Sequence, residues 1–489
     1  MENRTIVGPV TISTACGKLT GNERARCLEF LGVPFAKAER FRYAVPLESW
    51  DAVLDATKFG LACPQNRALH EHLENPTRRF YKREFREGCD FRYGEDCLNL
   101  NIYTPKEARA CPVVLFFYGG GFDSGVNSEG PFDGEGLAAR GIVAVFANYR
   151  VGPLGYLTHA EIQAEYGRDG NFGLDDQLTA IRWVRAHIAD FGGDGGNITL
   201  LGQSAGAISI QYLCLNHANA GLFRRAGMMS GGGCFPRFAL PRRAEDTRGY
   251  WLAFMELSGC RSLDELRRAP LDVLFDAVEE IKKRRKDSVY NTMPVIDGVL
   301  LPGPVDELIR RPLKLDYLLG YTNTDMYAPV MAFIGSRFAK DNGAYVYSFD
   351  LDAPGDKNGA FHSSDLRYVF ETLGGSWRPY SARDCEASSQ MAGYLANFAR
   401  TGDPNGPGLP LWRPAEKHRA RVLHIAPKET SMGHADYLKL TFNFLTRGDP
   451  SMIQQTPPDR ERPGGAFSCV GFRRSRICAG SRAPRLCRQ

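Results

Sequence analysis

An α/β architecture, with a mostly parallel central sheet and helices on both faces, is predicted by two features of this 489-residue sequence. Short unbroken apolar runs recur through the chain, and amphipathic helical segments separate them. A strand buried on both faces reads as a continuous apolar run, and helices linking such strands form right-handed crossovers that cover the sheet. The first clear run is CPVVLFFYGGG (111–121), and GIVAVFANYR (141–150) repeats the pattern. Between Asn171 and Phe191, the spacing of Leu174, Leu178, Ile181, Val184 and Ile188 follows one helical face. Asp175 and Asp176 lie near its start and Arg182 and Arg185 nearer its end, which suits the helix dipole. NITLL (197–201) reads as a further buried strand and AGAISIQYLCLN (205–216) as the helix after it. DYLLGYT (316–322) and AYVYSFD (344–350) are further buried strands.

The composition is that of an ordinary globular chain, with 43% apolar and 24% charged residues. No apolar run approaches the roughly 20 residues of a membrane span. The start, MENRTIVGPVTIST, lacks a basic segment followed by an apolar one, so a cytoplasmic location is expected. The formal charge of +5 is carried by the end of the chain: from Asp459 onward eight arginines and two acids give +6, which leaves the rest at −1. That basic stretch has few large apolar residues and several Gly and Pro, so 447–489 is expected to be a disordered, solvated tail behind a domain spanning 1–446. Nucleic acid and membrane insertion are not expected as partners. Oligomeric state leaves no mark in the sequence. The thirteen cysteines include Cys469, Cys478 and Cys487 in the tail and form no paired CxxC motif, which disfavours a structural zinc site. Cys63 and Cys97 could bridge in an oxidising compartment and would stay thiols in a reducing one.

Gly202, Gln203, Ser204, Ala205 and Gly206 form a GxSxG pattern between the NITLL strand and the following helix. A strand turning directly into a helix forces its central residue into strained backbone angles, and only very small neighbours leave room for that turn. The serine is then exposed at the sheet edge, facing the free N–H groups of the helix N-terminus. The plain alternative is a small polar residue in a tight connection. Gly119, Gly120 and Gly121 follow another strand, and consecutive glycines can aim successive N–H groups into one concavity. A dinucleotide-binding GxGxxG fails here, because Ser124 stands at its last position. Gly120, Gly121 and Ala205 are therefore candidate oxyanion donors.

With the order serine, acid, histidine, the base must come from His217, His362, His418, His424 or His434. His217 closely follows the helix after Ser204, His424 sits in the apolar RVLHIA, and His418 lies among charges, so these read as structural or solvated. His362, in a loop after AYVYSFD, is placed to face the serine. For the acid, Asp325 lies just beyond DYLLGYT, and Asp350, Asp352 and Asp365 compete with it. The acid would accept the imidazole Nδ1–H and hold the tautomer a base needs.

On these residues the chain resembles the type-B carboxylesterases, the carboxylesterase and cholinesterase family of the α/β-hydrolase fold. The ordered series FLGVPFAKAERF, GEDCLNLNIYTP, YGGGF, NYRVGPLGYL, GNFGLDDQ, FGGDGGNITLLGQSAGA, IDGVLLP, GAFHSSDLRYVF and FARTGDPNGPGLPLW covers nearly all of the chain before the tail. The resemblance implies a serine carboxylesterase working through an acyl-enzyme on small-molecule esters, with no metal or organic cofactor. It implies Ser204 as nucleophile, His362 as base, Asp325 where the family usually has glutamate, and Gly120, Gly121 and Ala205 as the oxyanion hole. It extends to Cys63 and Cys97, and implies an ion pair between Glu95 and Arg150. Tyr118 replaces the histidine many members carry before the glycines, as the cholinesterase branch tolerates. The entry segment PFAKAERF looks trimmed. His362 follows Asp325 by only 37 positions, fewer than is usual in relatives, which predicts an open, shallow acyl or alcohol pocket. An amidase or thioesterase on the same machinery, or a non-catalytic binding protein of the same fold, are the alternatives; the second would be expected to lack one of these groups.

Overall fold

The computed structural model describes residues 5–66, 76–232, 241–284, 292–325, 331, 338, 343–416 and 421–436. The tail, its three cysteines and His418 lie outside the described residues. An antiparallel start is built by β1 (Ile6–Thr14), β2 (Gly17–Arg24), β3 (Leu28–Pro34) and β4 (Asn99–Thr104). The sheet continues with β5 (Cys111–Phe117), β6 (Val143–Ala147), β7 (Gly193–Gln203), β8 (Arg225–Met229), β9 (Asp316–Thr322), β10 (Ala344–Phe349) and β11 (Arg421–Ile425). The edge strand is β12 (Thr430–His434). Their spatial order is β1-β2-β3-β4-β6-β5-β7-β8-β9-β10-β11-β12, and a short strand at Leu54–Asp55 pairs with β2. From β6 to β11 every neighbouring pair is parallel. This is the α/β-hydrolase arrangement, a large and mostly parallel sheet.

The apolar runs form the strands because both of their faces are covered. Helix α1 (Phe172–His187) begins at Asn171, carries Asp175 in its first turn and Arg185 in its last, and turns all but four of its residues to the interior. Helix α2 (Ala205–Leu215) is buried along its whole length. Helix α3 (Ala382–Thr401) is started by a capping box between Ser381 and Asp384 and stopped at Gly402 in the left-handed region. A side chain added to Gly202 of β7 would strike Gly206 and Ala207 of α2, whereas its neighbour Leu201 lines an apolar pocket with Met391, Tyr394 and Leu395 of α3. Successive strand residues point to opposite faces, so α2 and α3 cover opposite sides of the sheet.

The expected Glu95–Arg150 ion pair is not formed. Arg150 is instead held by Asp176 of α1, with Nη2 to Oδ1 and Nε to Oδ2 both at 2.8 Å, and its own backbone N–H also donates to Asp176. A guanidinium buried this deeply needs a carboxylate fixed in a two-pronged geometry, and the helical Asp176, with no exposed surface, supplies one. Glu95, about a third exposed, is taken by Arg40 at 2.6 Å. Cys63 and Cys97 are buried free thiols in hydrogen-bond contact, and that contact together with burial pushes the Cys97 thiol up. Among the described residues no helix is long and apolar enough to cross a membrane.

Candidate active site

The strand order reverses around β5: β6 lies on one side of it, and β7 with all later parallel strands on the other. In open parallel sheets such a reversal opens a crevice beyond the carboxyl ends of the strands. Here the two segments leaving that point are the Gly119–Gly121 loop after β5 and the Ser204 turn after β7, side by side because Phe117 and Gly202 are in register.

Ser204 takes φ 54° and ψ −121°, a conformation that non-glycine residues adopt at a cost of about 1–3 kcal/mol. The turn is held by Ser204 N–H donating to the Met229 carbonyl at 2.9 Å and by the Ser204 carbonyl accepting from Ile208. Both flanking glycines are needed for space. A Cβ on Gly202 would meet the Gly206 backbone at 2.6 Å, and one on Gly206 would run into the Phe117 carbonyl. Across the crevice, a Cβ on Gly119 would lie 2.7 Å from that of Ser204. Gly120 has φ 119° and its missing Cβ would collide with the Ser124 carbonyl; Gly121 has φ 64° and is exposed. Among the described residues the amides of Gly120 and Gly121 donate to nothing. The Ala205 amide, at the first position of α2, has no partner within the helix. Tyr118 anchors the loop from below: its ring stacks on Tyr149 at 4.5 Å, and each hydroxyl donates to the other's carbonyl.

His362 and Asp325 meet. The imidazole Nδ1 lies 2.7 Å from Asp325 Oδ2, with the carboxylate 1% and the ring 16% exposed. Their loops leave neighbouring strands, since Thr322 of β9 is in register with Phe349 of β10, and the Thr324 hydroxyl ties them by donating to the Ala360 carbonyl at 2.6 Å. None of the competing acids is hydrogen-bonded to the His362 Nδ1, although Asp365 is near enough to interact with the ring electrostatically. Asp350 pairs with His424, Asp352 is exposed, and Asp365 accepts from the Tyr347 hydroxyl at 2.7 Å. Tyr347 can reach Asp365 because Gly320 has no side chain under its ring. Burial pushes the Asp365 carboxyl up to about 6, against the Tyr347 hydrogen bond that lowers it. Of the other histidines, His217 bonds the Arg311 carbonyl and His434 ends β12.

One residue was not singled out in the sequence. The Gln203 amide nitrogen sits 3.2 Å from His362 Nε2 and 2.6 Å from the Ser363 hydroxyl. Nε2, expected to face the serine, thus faces the residue before it, and among the described residues the Ser204 hydroxyl has no hydrogen-bond partner. The variable second position of GxSxG is the signal that could have drawn attention to Gln203. The open, shallow pocket expected beyond Asp325 depends on 326–342, most of which lies outside the described residues.

The family model described as Carboxylesterase family matches residues 8–333 and 325–442. The para-nitrobenzyl esterase of Bacillus subtilis (strain 168) is 29% identical over 467 residues, covering 81% of this chain and 90% of the relative. Carboxylesterase 5A of Canis lupus familiaris is 30% identical and covers 81% of each. Among solved structures, a PNB esterase superposes with a TM-score of 0.74 at 25% identity, over 89% of this chain and 99% of that one.

Proposed function

The chain belongs to the carboxylesterase family and is a carboxylic ester hydrolase, and from that premise we propose that Ser204, His362 and Asp325 do its chemistry with the amides of Gly120, Gly121 and Ala205. The observation that carries this reading is the 2.7 Å contact between His362 and a buried Asp325, beside a serine held in a strained turn at the point where the strand order reverses. Asp325 keeps the proton of the neutral ring on Nδ1, which leaves the Nε2 lone pair to take the Ser204 proton as the oxygen attacks the ester carbonyl. The oxyanion then falls among amides that, among the described residues, have no partner to give up, so no reorganisation is needed as charge develops. The imidazolium returns its proton to the departing alcohol, and water repeats the cycle to free the acid. Activity therefore falls once acid protonates His362, because the imidazolium has no lone pair left to take the serine proton.

The substrates are small carboxylic esters, and nitrobenzyl esters are the first to assay given the name of the Bacillus relative. The family match ends at residue 442, in keeping with a hydrolase domain at 1–446 and an appendage at 447–489. A fluorophosphonate probe should label the intact chain and not Ser204→Ala; labelling that survives in Ser204→Ala would reject the nucleophile. Asp325→Asn should lower kcat/KM by about 10³–10⁴, because the amide stabilises the wrong tautomer. Full turnover in that variant would move the acid elsewhere. Rates on matched ester and anilide substrates separate an esterase from an amidase.

A further inference from the structure

We propose that Gln203 is a positioning residue that holds the His362 imidazole by Nε2 between turnovers, so that the Gln203 amide and the Ser204 hydroxyl compete for the same lone pair. This rests on the reading of Ser204 and His362 given above. Gln203 ends β7 and is 3% exposed, so its amide has a fixed environment. The amide nitrogen faces His362 Nε2 at 3.2 Å and the Ser363 hydroxyl at 2.6 Å. Its oxygen lies against the Gly119 backbone, where a Cβ would come within 2.6 Å. One side chain therefore touches both the glycine loop and the base.

Because Asp325 holds the Nδ1 proton, Nε2 of the neutral ring is an acceptor, and an amide N–H is the partner it requires. Once Nε2 takes the serine proton, the same N–H would face another N–H. The ring must then leave Gln203, or the amide must turn over and present Oε1. A glutamine can complement both charge states in turn, whereas a glutamate can complement only the imidazolium and a methionine neither. The charged groups placed near the ring among the described residues are acidic. Asp325 lies on Nδ1, and Asp365, reached by Tyr347 from β10, interacts electrostatically with both Asp325 and His362. Ser363 itself has φ 78°, so the backbone next to the base is held in the left-handed region while its hydroxyl meets Gln203.

The test compares the full chain with Gln203→Glu and Gln203→Met, using a nitrophenyl ester across pH and the rate of fluorophosphonate labelling, with thermal melts to confirm folding. In Gln203→Glu the carboxylate should trap the imidazolium. The acid limb of kcat/KM should then move up by about one pH unit or more, with roughly tenfold loss at pH 7 that is recovered in alkali. In Gln203→Met the competitor is gone, so Ser204 should label severalfold faster. A folded Gln203→Glu whose acid limb coincides with that of the parent overturns the proposal. So does a folded Gln203→Met that labels at the parental rate, which decides the matter alone if the glutamate variant does not fold. Failure of the underlying reading would appear separately, as labelling of Ser204→Ala.

Discussion

Asp365 shows how one buried side chain ties stability to pH. Its carboxyl is fully enclosed, accepts from Tyr347 at one oxygen, and has no partner for the other among the described residues. Burial raises it to about 6, above the roughly 3.9 of an unfolded aspartate. The folded state therefore binds this proton more tightly than the unfolded state, and the stability it contributes is present below about pH 4 and lost as pH rises to about 6. Asp365→Asn removes the charge and keeps an acceptor for Tyr347. It should be more stable than the parent at pH 7–8, on the order of 2 kcal/mol, with the difference closing toward pH 4. Denaturant unfolding at several pH values checks this, and a pH-independent difference would reject it. At this scale the sequence singled out His362 and favoured Asp325 among four acids. It could not separate them, since only the pairing of β9 with β10 and the Thr324–Ala360 bond bring one of the four to Nδ1.

The element on which the site depends is the β7–turn–α2 unit. Its strand, strained serine and buried helix were legible because each has a local cause: an apolar run, flanking glycines, and a helix-forming apolar stretch after the turn. The reason for each glycine is not local. Gly206 is excluded from carrying a side chain by the Phe117 carbonyl of the neighbouring β5, a contact made only when the sheet assembles. Gly206→Ala should push α2 away from β5 and cost about 1–3 kcal/mol, with fluorophosphonate labelling falling further than the loss of folded protein explains. Thermal melts and labelling on the same sample separate the two effects. Labelling that merely follows the folded fraction would show that the turn tolerates the shift. Gln203 was hidden for a related reason, because a residue in the variable position of a motif has no local signature, and its partners His362 and Ser363 come from one loop more than 150 residues away.

Across the whole molecule, Arg150 joins parts of the chain that the sequence does not connect. It follows β6, takes both oxygens of Asp176 on α1, and donates to the Arg42 carbonyl at 2.7 Å. Breaking a buried pair leaves an uncompensated charge, so Asp176→Ala should destabilise by about 3–5 kcal/mol. Glu95→Gln, at a partly exposed pair with Arg40, should cost about 1 kcal/mol or less. Equal losses in unfolding experiments would return Glu95 to the role the family resemblance implied. The sequence by itself determined the α/β class and five of the buried strands, and singled out the serine, histidine and glycines proposed for the site, because burial on both faces and tight turns leave local patterns. Tertiary structure alone decided which carboxylate meets which cation or imidazole, and which side chain meets His362 at Nε2. Those choices depend on angstrom-scale distances between segments far apart in the chain, and charge and polarity in a sequence carry no record of distance.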